Sequence, residues 1–282
     1  MDKTGQRRTN RDKVFRPERT ETKTLQLDAA PLTDWDSAAA QAAAAGCNSV
    51  AVTVKDASGQ VYFDSAQPAA SGAIRTESTT AAALTAMTAS DTYTIARLSC
   101  LLDPIAAKAD VEGMGLKNTG GYIFYDGNNL NWLDPSKSGT QEYLSGLVKE
   151  CASMGFDEIL LTDVSFPTEG KLNKIAYPGA GMQESIRAFL MAMDTALAAY
   201  PDVKLSVELP ESVITLGQDE TAGLVLSEIA PLVDRIYTET TEGSIPALEA
   251  AVEAVGEDTV LIPELTAIPA ESDQPYLLTE PS

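Results

Sequence analysis

The apolar and polar positions of the chain change period repeatedly, and from residue 24 onward they alternate between two textures. TLQLDAAPL (24–32) reads as a strand, and TDWDSAAAQAAAAGC (33–47) as an alanine-rich helix with Thr33 as its N-cap. NSVAVTVKDASGQVYFDS (48–65) predicts a β-branched strand, a Ser-Gly turn and a short second strand. TTAAALTAMTAS (79–90) has helical character, and TYTIARLSCLLD (92–103) is a strong strand. Residues 104–140, with their Gly and Asn clusters, read as a long loop carrying short elements. In QEYLSGLVKECASMG (141–155), Leu144, Leu147, Val148 and Cys151 share one helical face.

The remaining strands are expected in FDEILLTDVSFP (156–167), VKLSVELPE (203–211), DRIYTET (234–240), TVLIPELTA (259–267) and QPYLLTEP (274–281). Helices are expected over 183–200, 222–233 and 244–256, the last with Gly256 as C-cap; none precedes the final strand. Seven or eight strands alternating with helices imply a parallel sheet. At this length the pattern favours a (β/α)8 TIM-like barrel over residues 24–282, lacking a full last βα unit. Residues 1–23 have no apolar period and read as a flexible basic arm or linker.

Charge sharpens that division. Of 282 residues, 20 are Lys or Arg and 41 are Asp or Glu, a formal net charge of −21. Eight basic and four acidic residues fall in 1–23, leaving 12 basic against 37 acidic in the rest. A body this acidic, with pI ≈ 4.2, argues against nucleic acid as a partner. No stretch of 18 apolar residues predicts a transmembrane segment, and no signal-peptide core is visible. Cys47, Cys100 and Cys151 form no CxxC motif and read as small hydrophobes.

The sequence has no histidine, which excludes histidine-based nucleophile systems, imidazole bases and His-ligated metal sites. No cofactor is implied: the first βα turn, DAAPLTD, lacks a glycine-rich phosphate loop. Acid–base chemistry must therefore use carboxylates. Barrel enzymes keep their chemistry at strand C-termini. Read in order, those ends offer Asp28, Lys55 with Asp56, Arg97 with Asp103, Asp163, Glu208 with Glu211, Glu239 and Glu264. A mouth ringed with acids suits glycoside chemistry, in which one carboxyl protonates the leaving oxygen and another acts as nucleophile or base. The same ring could bind Ca²⁺, although no DxDxDG loop supports a metal site. Trp132, in DGNNLNWLDP, and Tyr237, in RIYTET, are candidate sugar-stacking platforms or rim plugs.

The segments ARLSCLLDP (96–104), GGYIFYDGNNLNWLDP (120–135) and YLSGLVKECASMGFDEILLTDVSFP (143–167) resemble a bacterial glycosyl-hydrolase-domain family. VAVTVKDASGQVYFDS (50–65) is similar to its second strand and Lys-Asp-x-x-Gly turn. The resemblance spans residue 24 to about 240 and implies a TIM barrel distantly similar to α-amylase-like glycosidases. It also implies carbohydrate as partner and a location outside the cell or in its envelope, where the basic arm resembles the stalk after an anchor. The family's strand-end Asp falls on Thr162, its Tyr on Asp163 and its Arg on Ser165. An Asp one place later faces the other side of the strand unless a bulge intervenes. RIYTET and LIPEL also depart from the family pattern.

Three readings follow. In an active glycoside hydrolase, Asp163 is nucleophile or base and Glu208 or Glu239 the acid, with Lys55, Asp56, Arg97, Trp132, Tyr237 and Glu264 binding substrate. In a catalytically inactive relative, the barrel is a glycan-binding or cell-envelope module. In the third, carboxylates alone hold a metal for hydrolysis. Oligomeric state, substrate sugar and linkage are not encoded in any motif present.

Overall fold

The computed structural model describes residues 21–27, 32–269 and 274–279; Asp28 and the arm up to residue 20 lie outside them. Eight parallel strands close into a barrel in chain order: β1 (Lys23–Gln26), β2 (Ser49–Lys55), β3 (Tyr93–Ser99), β4 (Glu158–Thr162), β5 (Lys204–Glu208), β6 (Arg235–Glu239), β7 (Val260–Leu265) and β8 (Tyr276–Leu278). β8 pairs back onto β1, with Lys23 opposite Tyr276, so no edge is left in the barrel.

Period-two alternation decides what each strand buries. On β2, Val50, Val52 and Val54 belong to the outer core beneath the helices. Ala51 joins Tyr93, Ile95, Leu160, Tyr237, Ile262 and Leu277 in a separate cluster inside the barrel. That inner cluster is a packed plug, as expected of a barrel this size.

The outer layer contains α1 (Trp35–Ala44), α2 (Ser78–Thr88), α3 (Pro104–Ala109), α4 (Ser138–Met154), α5 (Met182–Ala196), α6 (Glu211–Leu216), α7 (Leu226–Ile229) and α8 (Ile245–Glu253). Helix α4 buries Leu144, Leu147, Val148 and Cys151 and stops at Gly155, whose φ of 101° suits only glycine comfortably. Between β7 and β8 the described residues contain no helix. No helix among the described residues is long and apolar enough to cross a membrane.

Several local expectations are corrected. The N-cap of α1 is Asp34, not Thr33; its carboxylate accepts from the Asp36 and Ser37 amides. The second strand expected near 58–65 reduces to single bridges at Val61. The helix expected over 222–233 gives way to a hairpin of Gln218–Asp219 and Leu224–Val225, followed by only one short α turn. Asp219 fastens that hairpin through the Thr221 and Ala222 amides, and Pro231 lies in the 3-10 turn that ends α7. α6 lies where only strand exit and loop were anticipated. The C-cap of α8 is Ala254; Gly256 is needed instead for close packing, since a Cβ there would lie 2.5 Å from Thr259 Oγ1. Cys100 and Cys151 are buried and Cys47 half-buried, all three as free thiols.

Candidate active site

The two ends of the barrel both carry charge, arranged differently. At the floor, Glu158 opens β4 and is fully buried. Its carboxylate accepts from Tyr93 Oη (2.8 Å), Ser206 Oγ (2.5 Å), Tyr237 Oη (2.8 Å) and Arg235 Nη1 (3.0 Å). The Arg235 guanidinium also lies over the Tyr93 ring, 5.5 Å from its centroid. Tyr237 is thus turned away from the mouth and consumed by Glu158. Sequence reasoning missed Glu158; its signal was an acid on the inward parity of a strand start.

At the mouth, Arg97 extends from the inner face of β3. Its Nη2 contacts Glu208 Oε2 at the end of β5 and lies 3.9 Å from Glu264 Oε2 on β7. Glu239, at the end of β6, is paired in register with Glu264. Burial alone would lower the Arg97 pKa, but Glu208, Glu264 and then Asp163 outweigh it and raise it. Glu264 has 5% of its side chain exposed, and its Oε1 has no hydrogen-bond partner. Its carboxyl is pushed up to about 7, first by burial and then by Glu208 and Glu239, against the opposing pull of Arg97. Glu208 and Glu264 thus meet on the same guanidinium nitrogen, Arg97 Nη2.

Asp163 joins this group by a backbone departure. Its φ is 52°, the left-handed region, immediately after β4 ends. That conformation breaks the alternation expected of a strand. Its Oδ2 accepts from Ser99 Oγ at 2.6 Å and Thr162 Oγ1 at 3.3 Å, and Ser99 lies on the inner face of β3, as Arg97 does. So Asp163 faces the mouth.

Lys55, Asp56 and Trp132 have internal partners instead. Lys55 is fully buried, with Nζ 3.0 Å from Asp103 Oδ2 and donating to the Ser99 carbonyl at 2.8 Å. Asp103 caps α3 through the Ala106 amide. Asp56 accepts from the Ser58 and Gln60 amides, Ser58 Oγ and Tyr62 Oη. Although burial opposes it, these bonds lower the Asp56 pKa, while burial and Asp56 push Tyr62 up to about 12. Gly59 completes the turn, because a Cβ would meet Asp103 Oδ1 at 2.3 Å. The Lys-Asp-x-x-Gly turn is therefore a brace between β2 and α3. Trp132 is 9% exposed and donates from Nε1 to Asp126 Oδ2 at 2.9 Å, fastening its own loop. Glu211 accepts from Thr240 Oγ1 at 2.8 Å.

Among the described residues, no group of three or more Cys, Asp or Glu side chains is arranged to hold a metal ion. A pocket of about 330 Å³ opens on the loops after β3 and β4, lined by residues such as Asn118, Tyr125, Lys171 and Lys174 and by none of the mouth carboxylates.

A closed barrel of eight parallel strands with helices outside it, and with charged side chains at the strand C-termini, is a TIM barrel. The family model described as "Putative glycosyl hydrolase domain" matches residues 30–238, and the chain belongs to that family. No curated protein matches it. Among solved structures, a hypothetical protein from Ruminiclostridium thermocellum is 27% identical, with a TM-score of 0.55 over 65% of this chain and 96% of that one. The α-glucosyl transfer enzyme XgtA is 9% identical, with a TM-score of 0.54 over 92% of this chain and 67% of the other. Amy13B of Eubacterium rectale is 11% identical, with a TM-score of 0.53, and this chain spans 57% of it. The last two likenesses concern the fold alone.

Proposed function

We propose that the barrel hydrolyses glycosidic bonds with Glu264 as the proton donor and Glu208 as nucleophile or base. The observation carrying this reading is Glu264 itself: a buried carboxyl titrating near 7, with an unpartnered oxygen, beside a carboxylate in contact with Arg97. Environments that keep one of two neighbouring carboxyls protonated near neutrality are what such chemistry requires. Glu264 gives its proton to the leaving oxygen while Glu208 attacks the anomeric carbon or activates water. Glu208 and Glu264 are neighbours that share Arg97 Nη2, the kind of adjacent carboxyl pair such chemistry uses. Asp163 serves as a positioning residue, adding its charge to the field on Arg97. Glu239, earlier a candidate acid, is exposed and acts on Glu264 through charge.

The test is release of aryl or reducing sugar across a panel of glycosides by the wild type, Glu264→Gln and Glu208→Gln. Each substitution should reduce turnover by at least about 10²-fold. The wild-type rate should fall as pH rises through about 7, where Glu264 loses its proton. Unchanged turnover in both variants would sink the assignment.

A second reading, glycan binding without turnover, is favoured by one feature: Arg97 already occupies Glu208, and the open pocket lies away from both. Calorimetric binding with no sugar released by the wild type would select it. A location outside the cell or in its envelope belongs to both readings, and antibody detection in cell fractions tests it.

A further inference from the structure

The pocket on the β3 and β4 loops differs in character from the mouth. Its lining includes Lys171 and Lys174, both exposed, and no Asp or Glu, in a chain with net charge −21. Lys117, nearby in the fold, is neutralised by Glu112 at 2.8 Å, whereas neither pocket lysine has a carboxylate partner within ion-pair distance among the described residues. The walls are braced by backbone: Thr119 N donates to the Lys174 carbonyl and Ala176 N to the Lys117 carbonyl, both at 2.8 Å. The same two loops carry the three most exposed tyrosines, Tyr122 (75%), Tyr125 (48%) and Tyr177 (39%). Of these, Tyr125 lines the concavity itself, and its exposed ring offers flat apolar surface with a polar tip, suited to the face of a sugar ring.

We propose that this pocket is a subsite for an anionic sugar unit, bearing a carboxylate or a phosphate, of a glycan that extends toward the barrel mouth. The inference rests on the carbohydrate reading and adds the charge of the substrate. The mouth carries Asp163, Glu208, Glu239 and Glu264 around a single arginine, so an anionic group is repelled there and attracted to Lys171 and Lys174. Ammonium contacts to a carboxylate or phosphate are charge-assisted and, being exposed, fall off with salt. The charge therefore fixes which unit of the glycan occupies the rim.

The experiment is calorimetric titration of the full chain with three probes: a galacturonate trimer, the matching neutral galactose trimer, and a sugar phosphate. Wild-type protein should bind an acidic probe at least about tenfold more tightly than the neutral one at low salt, the preference shrinking toward about 0.5 M NaCl. Lys171→Ala/Lys174→Ala, two exposed positions, should erase that preference. Whichever acidic probe binds more tightly identifies the anion as carboxylate or phosphate. Equal affinity for all three probes, or a preference that survives the double substitution, overturns the subsite. If only the neutral trimer binds, the subsite falls and the carbohydrate reading stands. If none binds while aryl glycosides are still cleaved, the subsite alone fails; if none binds and none is cleaved, both fail.

Discussion

The floor and the mouth of this barrel each pair a buried glutamate with an inward arginine, yet one is complete and the other is not. Glu158 receives four hydrogen bonds, from two tyrosines, a serine and Arg235. Glu264 has its arginine at 3.9 Å, an oxygen with no hydrogen bond, and two further glutamates raising its pKa. A buried polar network that is fully satisfied makes a core rigid and specific, whereas a partly satisfied one leaves a group whose protonation state is still open. The floor therefore serves stability, and the mouth keeps a carboxyl ready to exchange a proton. This matches the division of labour in such barrels, with chemistry at strand C-termini.

The comparison breaks most directly at the floor. Glu158→Ala removes the carboxylate that balances the buried Arg235 charge and should cost about 3–5 kcal/mol in denaturant unfolding. A loss under about 1 kcal/mol would mean that the floor network contributes no more than a surface pair.

At the mouth the expected effect is smaller and depends on pH. Glu264 is raised from 4.5 to about 7 on folding, so the folded state binds the proton more tightly than the unfolded chain. That stabilisation is fully present below about pH 4.5 and is lost as pH rises through 7. From this group alone, stability should drop by on the order of 2–3 kcal/mol between pH 5 and pH 8. Glu264→Gln should match wild type near pH 5, exceed it near pH 8, and flatten the slope. A slope unchanged by the substitution would show that Glu264 ionises normally and that the mouth is as settled as the floor.

The barrel and part of its mouth could be read from residue order, whereas the floor built on Glu158 could not, and the unread part has physical causes. Alternating texture was enough for the barrel, because strands such as SVAVTVK state their two faces in their own period. Arg97, Glu208, Glu239 and Glu264 were found as strand-end charges, and the fold does gather them. Lys55 and Asp56 were read as strand-end charges and Trp132 and Tyr237 as stacking platforms or rim plugs, but each has an internal partner that only tertiary structure supplies: Asp103, the turn amides with Tyr62, Asp126 and Glu158. The motifs carrying the family resemblance are thus largely braces of the scaffold. The α6 and hairpin segment was misread because a short strand pair tied by Asp219 carries no long period. Lys171 and Lys174 were overlooked because the pocket forms only when two distant loops cross.

Asp163 gives the finest test, since its place at the mouth depends on one backbone angle. Thr162 shares the inward parity of Glu158 and Leu160 on β4, so ordinary alternation would turn Asp163 outward. A φ of 52° brings its carboxylate back to Ser99 instead. Asn tolerates that region nearly as well as Asp, whereas a Cβ-bearing residue without a local polar side chain pays more strain there. Asp163→Asn should therefore change stability by less than about 0.5 kcal/mol, and Asp163→Ala should lower it by about 1–2 kcal/mol through strain and the lost hydrogen bond. Both remove one negative charge from the field around Arg97, so both should move the alkaline limb of activity by a similar amount despite their different stabilities. If the limb instead followed stability, Asp163 would act on the mouth through backbone shape alone, and its charge would have no part in tuning the site.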